Sequence, residues 1–222
     1  MQRFFDIIFS AMALVIFSPF LIPVSIILKF SGEGEIFYVQ QRVGKDGKMF
    51  GLLKFATMLK DSANIGTGTV TVKNDPRVLP IGKFLRKSKI NELPQLLNIF
   101  LGAMSVIGPR PQTERCFLAF PQNSQDAIVQ VKPGLSGIGS IVFRDEESIL
   151  DNPDIDRLQF YDDEIAPYKG ELEQWYVKHH NLYTYFMLIG LTVWVVIFSD
   201  SKVYKTIFKD LPTPPGSLKE WL

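Results

Sequence analysis

From Ile7 to Leu28 the chain runs for twenty-two residues without a charge. As a straight helix, rising about 1.5 Å per residue, such a run can cross a hydrocarbon layer of roughly 30 Å. Its apolar character goes all round rather than along one stripe, which argues against a soluble core helix. It is long for the h-region of a signal peptide, has no clean A-x-A site after it, and starts beside Asp6. Ser18-Pro19 interrupts the run, with Pro23 one turn later. Proline removes a backbone hydrogen bond and crowds the preceding turn, so a kink is predicted near Ser18. Ser18 or the protein's own soluble part is expected to satisfy the freed carbonyls. A kinked helix can span, or can bend and leave by the face it entered. The basic residues from Lys29 onward favour a cytoplasmic location for that end.

A second uncharged stretch, Leu182 to Ser199, carries Tyr183, Tyr185, Phe186, Trp194 and Phe198. Aromatics of this kind suit a bilayer interface, so the stretch is predicted either as a short span or as a helix lying among headgroups. The chain is membrane-bound on either reading.

Net charge is +1, which selects no partner, but its distribution is uneven. Lys29 to Lys89 holds twelve basic against five acidic residues, and Arg144 to Lys178 holds four against eleven. The basic half suits anionic phosphates, nucleic acid or a lipid surface, and the two halves can also simply complement one another. The single Cys116 excludes an internal disulfide, and no Cys/His cluster has zinc spacing. His179 and His180 stand alone beside an aromatic stretch.

Between the apolar segments, residues 36 to 58 alternate apolar with polar around Gly44-Lys45-Asp46-Gly47, the pattern of a β-hairpin. A turn-rich stretch follows, with β-branched Val70 to Val72 and a break at Asp75-Pro76. Gly66 and Gly68 lack the strand-glycine-helix order of a phosphate loop. Helices are predicted from Ile81 to Lys87 and from Leu93 to Met104. The acidic segment 145–173 reads as helical pieces broken at Asn152-Pro153 and Ala166-Pro167. The middle is therefore expected to be one small, irregular, α-rich body with little sheet.

Within it, Asn91-Glu92-Leu93-Pro94 reads first as an ordinary helix start. Asn is a favoured N-cap, an acid in the first turn suits the helix dipole, and Pro94 gives up no internal hydrogen bond. The neighbouring residues favour chemistry. Arg86 lies five residues before Asn91, and Arg110 sits in a rigid Pro-Arg-Pro frame. Arginine offers a planar fork to phosphate oxygens. Lys54, Lys60 and Arg77 can join from the turn-rich region. A carboxylate among several cations suits Mg²⁺ with a diphosphate, because Mg²⁺ takes one or two carboxylates plus phosphate oxygens. For each arginine alone, a surface ion pair is the competing reading.

These motifs resemble the bacterial monotopic phosphoglycosyl transferases, also called polyprenyl glycosylphosphotransferases or bacterial sugar transferases. The likeness extends over nearly the whole chain. It takes in Ser18-Pro19, Gln41-Arg42-Val43-Gly44, Lys54-Phe55, Asp75-Pro76-Arg77-Val78, Gly82 to Lys87, Glu92-Leu93-Pro94-Gln95-Leu96, Met104 to Pro111 and Lys132 to Gly137. The resemblance implies an α-rich α+β membrane protein with three parts. Residues 1–30 form a broken, re-entrant membrane helix, 31–181 a catalytic domain with a short β-hairpin, and 182–222 an apolar interfacial or membrane helix and tail. It places the catalytic domain on the cytoplasmic face of the bacterial inner membrane.

The implied reaction moves a phosphosugar from a nucleotide-diphosphate sugar, expected to be a UDP-sugar, to undecaprenyl phosphate and releases UMP. Membrane lipid and downstream glycosyltransferases are the further expected partners, and nucleic acid is not one. By resemblance Glu92 is the Mg²⁺-associated carboxylate, and Lys54, Arg77, Arg86 and Arg110 are phosphate-binding positions. Asn91 stands where the resemblance expects a nucleophilic Asp, and Ala56 where it expects an arginine. An amide oxygen is a very poor nucleophile. Three possibilities stay open: Glu92 attacks, the lipid phosphate attacks directly, or the protein binds without turnover as a scaffold or substrate-binding relative. Sugar selectivity is expected in Ser62 to Val72 and in Phe143 to Glu147.

Overall fold

The computed structural model describes residues 1–60, 62, 75–151, 155–199 and 201–222. In chain order its elements are α1 (Gln2–Lys29), β1 (Phe37–Val43), β2 (Met49–Phe55), α2 (Pro80–Lys87), α3 (Gln95–Leu101), β3 (Ser105–Ile107), α4 (Glu114–Leu118) and α5 (Gln122–Ile128). These are followed by β4 (Gly134–Ser136), α6 (Ile138–Val142), α7 (Glu146–Leu150), α8 (Arg157–Phe160), α9 (Ala166–Lys178), α10 (Leu182–Ile197) and α11 (Tyr204–Ile207). The class is α-rich α+β, with two two-stranded sheets among the described residues. The chain divides into two compact units: residues 1–6, 42–50 and 102–222, and residues 7–41 and 51–101. Both α1 and the β1–β2 hairpin run from one unit into the other.

Helix α1 continues through Pro19 and Pro23, and it is long and apolar enough to cross a membrane. Met12, Val15, Ile16, Phe20, Ile22 and Ile26 are all exposed. Pro19 has no N–H to offer the Val15 carbonyl; the Ser18 hydroxyl donates to that carbonyl instead, at 2.8 Å.

In the unit of residues 7–41 and 51–101, Leu28, Phe55 and Leu85 form the core with Leu21, Val24, Ile36, Ile81 and Ile90 around them. Helix α2 begins at Pro80, where a missing N–H costs nothing, and ends on Arg86 and Lys87, whose charges suit the dipole. A Cβ on Gly82 would lie 2.2 Å from the Thr57 carbonyl oxygen, so only glycine lets α2 approach that close. The Asn98 side chain accepts from Leu53 N at 2.9 Å and donates to Gly51 O at 2.8 Å. A side chain of α3 thus satisfies backbone that β2 would otherwise leave open.

The hairpin turn is as the sequence predicts, with Asp46 and Gly47 both at positive φ. Val70 to Val72, Gly66, Gly68 and Asn152-Pro153 lie outside the described residues.

In the other unit, β3 and β4 pair in parallel, Ser105 opposite Gly134 and Ile107 opposite Ser136. Three glycines interlock there. A Cβ on Gly134 would lie 2.1 Å from Gly108 N, one on Gly108 2.4 Å from Lys132 O, and one on Gly137 2.2 Å from Gly108 O. All these neighbours are backbone, so no side chain can move aside. Gly134→Ala is therefore expected to cost about 3 kcal/mol or more. Thermal unfolding of the detergent-solubilised protein should show a loss of roughly 10 °C. An unchanged midpoint would refute the interlock.

Asp6 is 2 % exposed. Its Oδ1 accepts from the Ser105 hydroxyl, Val106 N and the Tyr185 hydroxyl, each at 2.9 Å. The Gln2 amide donates to Ser105 Oγ and to Ile107 O. A carboxylate inside α1, just ahead of its uncharged run, thus pins the start of the helix to β3 and α10. Helix α10 is capped by Asn181, which accepts from Thr184 N at 2.9 Å. It buries Thr184, Tyr185, Leu188, Leu191 and Val195 along one face and leaves Val193, Trp194, Val196 and Ile197 exposed.

Ala166-Pro167 is not a break, contrary to the sequence expectation. Helix continues from Arg157 to Lys178 through a π-turn at Tyr161–Ile165, in which Ala166 N donates to Tyr161 O. Pro167 lacks an N–H and its ring crowds the carbonyl four residues back; a widened turn accommodates it without ending the helix. His179 is not isolated either, since its Nδ1 lies 2.8 Å from Trp175 O and its Nε2 3.2 Å from Asp210.

Candidate functional site

The Asn91-Glu92 pair occupies a single 3-10 turn, Ile90–Glu92, and not the first turn of the helix. Lys89 precedes it at φ 57. This left-handed residue, uncommon outside glycine, reverses the chain after α2. The reversal packs the 3-10 turn against α2, which carries Arg86. The sequence expectation that Asn91 caps a helix is corrected here. The following helix starts only at Gln95, and the Asn91 side chain caps nothing.

Asn91 is 8 % exposed, and its Oδ1 has no hydrogen-bond partner among the described residues. Gln95, four residues on and 2 % exposed, has an equally unpartnered Nε2. An orphaned buried polar atom costs about 1–3 kcal/mol, so two of them flanking Glu92 are a large burden for a short turn. Glu92 itself is half-buried. Arg86 is half-buried too, and among the described residues its Nη1 donates to the soft Met58 sulfur at 3.7 Å. Lys54 lies on β2 immediately before buried Phe55.

Arg77 differs from the other cations. It is 4 % exposed and forks onto Asp75, with Nε to Oδ1 at 2.8 Å and Nη2 to Oδ2 at 2.5 Å. Its Nη1 donates to Ser62 O. Within the Asp-Pro-Arg motif, Asp75 and Arg77 thus form a buried bidentate pair just before α2.

Among the described residues no group of three or more His, Cys, Asp and Glu could hold a metal. Glu92 with the Asn91 amide oxygen still fits Mg²⁺, which commonly takes few protein oxygens and completes its shell with water and substrate phosphate. The orphaned Oδ1 is a neutral oxygen donor of the kind such an ion accepts.

Arg110 belongs to the other unit, in a loop held at every residue. Pro109 O accepts from Gly134 N at 2.8 Å, Arg110 O from the Gln112 amide at 3.1 Å, and Pro111 O from Arg42 Nη1 at 3.2 Å. Gln112 O accepts from Val43 N at 2.9 Å. Behind the loop, Glu173 Oε1 lies 3.5 Å from Arg110 N, and Oε2 has no partner among the described residues. A Cβ on Gly139 would meet Glu173 Oε1 at 2.3 Å, so a larger residue there would have to displace that carboxylate. Lys169, one turn earlier on α9, pairs with Glu146 at 2.5 Å. Of the Phe143–Glu147 run, Glu146 is therefore committed to Lys169, and Asp145 accepts from the Ser148 hydroxyl. Sequence reasoning missed Glu173, Lys169, Gln95 and the anchoring role of Asp6. Nothing in their spacing separates them from surface residues, and only burial does.

Burial pushes the Glu173 carboxyl up to about 7, against the opposing pull of Lys169 and Arg110. A folded pKa above the ordinary 4.5 means that the native state binds the extra proton. The stability this supplies is complete below pH 4.5 and is lost as pH rises to about 7. Glu173→Gln is expected to flatten that dependence and to stabilise the protein by about 2–3 kcal/mol at pH 8. Denaturation at pH 5 and pH 8 measures it, and equal stabilisation at both would refute the assignment.

The bacterial sugar transferase family model matches residues 1–199. The exopolysaccharide production protein ExoY of Rhizobium meliloti is 37% identical over 161 residues, covering 66% of this chain and 71% of that protein. The undecaprenyl-phosphate galactose phosphotransferase of Salmonella typhimurium is 31% identical over 218 residues, 90% of this chain and 41% of the relative. The UDP-glucose:undecaprenyl-phosphate glucose-1-phosphate transferase of Escherichia coli is 35% identical over 143 residues, 64% of this chain and 31% of the relative. This chain thus spans less than half the length of those two transferases. Glu92 in its 3-10 turn, the Pro-Arg-Pro loop and this match along 199 residues lead to one assignment: the chain belongs to the bacterial sugar transferase family.

Proposed function

We propose that this protein transfers a phosphosugar from a UDP-sugar to undecaprenyl phosphate, releasing UMP and starting glycan assembly at the cytoplasmic face of the inner membrane. The carrying observation is that the residues on either side of Glu92 in the chain, Asn91 and Gln95, bury an Oδ1 and an Nε2 that have no partner among the described residues, with Arg86 on the helix packed against this turn. The names of the Salmonella and Escherichia relatives support the substrates. Residues 1–30 are proposed as a re-entrant helix and 31–181 as the catalytic part. In support, Ser18 satisfies the carbonyl that Pro19 frees.

In the proposed reaction an oxygen of the lipid phosphate bonds to the sugar-bearing phosphorus, and the bond from that phosphorus to the bridging oxygen breaks. The electron pair leaves with UMP. Both attacking and departing oxygens are phosphates, so neither needs a proton moved, and catalysis reduces to holding charge and geometry. Glu92 and the Asn91 amide oxygen are proposed to hold Mg²⁺, which when bound neutralises diphosphate charge. Arg86 and Lys54 bind phosphate oxygens, and Arg110 does so by its motif. Gln95 Nε2 donates a hydrogen bond to the substrate. Arg77 is assigned to Asp75 and not to substrate.

Asn91 cannot form the covalent phospho-intermediate, and Glu92 is the residue that would hold the metal, so the lipid phosphate is proposed as the nucleophile. Purified protein with Mg²⁺ should release UMP from a UDP-sugar only when undecaprenyl phosphate is present. UMP release without lipid would replace this mechanism by a covalent one. No release with any common UDP-sugar would favour a non-catalytic membrane scaffold.

A further inference from the structure

Glu173 is a buried carboxylate that works against the stability of its own fold. It is 1 % exposed on α9, and Oε1 accepts from Arg110 N at 3.5 Å while Oε2 has no partner among the described residues. Helix α6 leaves it room at Gly139, where a Cβ would come within 2.3 Å of Oε1. A glutamine could accept from the same N–H without bringing a charge indoors. Charges buried at a loss of stability mark places where function uses the charge.

The groups around Glu173 direct that charge at Arg110. Lys169, one turn earlier and 3 % exposed, donates to Glu146 at 2.5 Å and lies 5.5 Å from the centre of the Phe143 ring. Helix α6 carries no charged residue. The one charged residue of α5 is Asp126, which is exposed and accepts from the Gln122 amide. In the π-turn before α9, Asp162 pairs with Arg115, Glu164 accepts from the Ser217 hydroxyl, and Asp163 is exposed. On α9 itself Glu171 and Lys178 are exposed, and the Tyr168 and Tyr176 hydroxyls donate to Pro212 O and Ile107 O. Lys169 and Arg110 both favour the ionised form of Glu173, and of the two Arg110 has the hydrogen bond.

We infer that Glu173 is a positioning residue for Arg110: its ionised carboxylate grips the Arg110 N–H from behind and fixes the backbone that carries the guanidinium. The inference rests on the reading of Arg110 as a phosphate-binding residue. A hydrogen bond to a charged acceptor is about twice as strong as a neutral one, so the grip tightens when the proton leaves. Burial places that titration at about 7. Stability and substrate affinity therefore move in opposite directions, affinity rising from pH 6 to pH 8 while stability falls.

The test is calorimetric binding of UDP-glucose, UDP-galactose and UDP-N-acetylglucosamine to the detergent-solubilised full chain with Mg²⁺ and without lipid acceptor. None of these ligands changes its own charge between pH 6 and pH 8. The tightest of them should bind about fivefold more strongly at pH 8 than at pH 6. Glu173→Gln should raise Kd about fivefold at pH 8, change it by less than about twofold at pH 6, and raise the thermal midpoint at pH 8. Glu173→Asp keeps the charge and should keep part of the pH dependence. A residue that only packs predicts a more stable Gln variant with unchanged affinity, and that result would overturn the inference. So would a loss of affinity equal at both pH values. Arg110→Gln separates the two readings. If it weakens binding while Glu173→Gln does not, the positioning role fails and the phosphate site stands. If it leaves Kd unchanged, or if none of the ligands binds the parent, the phosphate site fails and takes this inference with it.

Discussion

Glu92→Gln is expected to lower UMP release by about 10³-fold, the scale of losing one preorganised charge at a phosphoryl site. The substitution is nearly isosteric and removes only the negative charge. Glu92 is half-buried, whereas the flanking Asn91 and Gln95 are almost fully buried and carry the packing of the turn. The thermal midpoint should therefore move little while turnover collapses. Steady-state UMP release at saturating Mg²⁺ and lipid, set beside thermal unfolding of the same preparation, separates the two. A variant that keeps a tenth of the activity would remove Glu92 from the chemistry. A variant that loses activity together with its fold would make Glu92 a packing residue.

The contrast with Arg77 sharpens this expectation. Both residues belong to motifs that suggest phosphate chemistry, yet Arg77 is spent on Asp75. Removing one partner of a buried pair strands the other charge and costs about 3–5 kcal/mol. Loss of activity in an Arg77 variant would therefore reflect structure as much as chemistry, and Glu92 is the cleaner probe.

Much of the fold is legible in the sequence where one physical term dominates. The apolar run of α1 and the Asp46-Gly47 turn each follow from local preference and stand as read, and the helix expected over Ile81 to Lys87 is found one residue longer, from Pro80. Reading fails where two terms compete. Asn caps helices well, so Asn91 before Leu93-Pro94 reads as a cap. Left-handed Lys89 turns the chain into a 3-10 turn instead, and the Asn91 Oδ1 is buried with no partner among the described residues. Pro167 reads as a break because proline ends most helices, but a π-turn absorbs it. The glycines at 108, 134 and 137 are visible as motifs, while their mutual contact at backbone distance depends on the parallel pairing of β3 with β4. Glu173 is the extreme case. In sequence it is one acid in an acidic stretch, and only its complete burial behind Arg110 distinguishes it.

Asn91→Asp should change both the mechanism and the stability of the protein. A carboxylate at this position enters a site that is 8 % exposed, beside Glu92. Without metal, desolvation and like-charge repulsion should cost about 2–3 kcal/mol at pH 8. Mg²⁺ should return most of it, since an ion held by the folded state at about 100 times its dissociation constant stabilises by about 2.7 kcal/mol. The unsubstituted protein, with one charge fewer at the site, should gain less from the same Mg²⁺ concentration. This measurement needs no substrate and reads the metal assignment directly. With a UDP-sugar and no lipid, the variant should release roughly one equivalent of UMP, because a carboxylate can form the covalent phosphosugar that an amide cannot. Intact-mass and peptide analysis should then place the added phosphosugar on the peptide containing position 91. If Mg²⁺ stabilises variant and parent equally, the ion is not held at this turn. If the metal effect appears but no burst does, Glu92 and residue 91 bind the ion while the lipid phosphate remains the attacking group in both proteins.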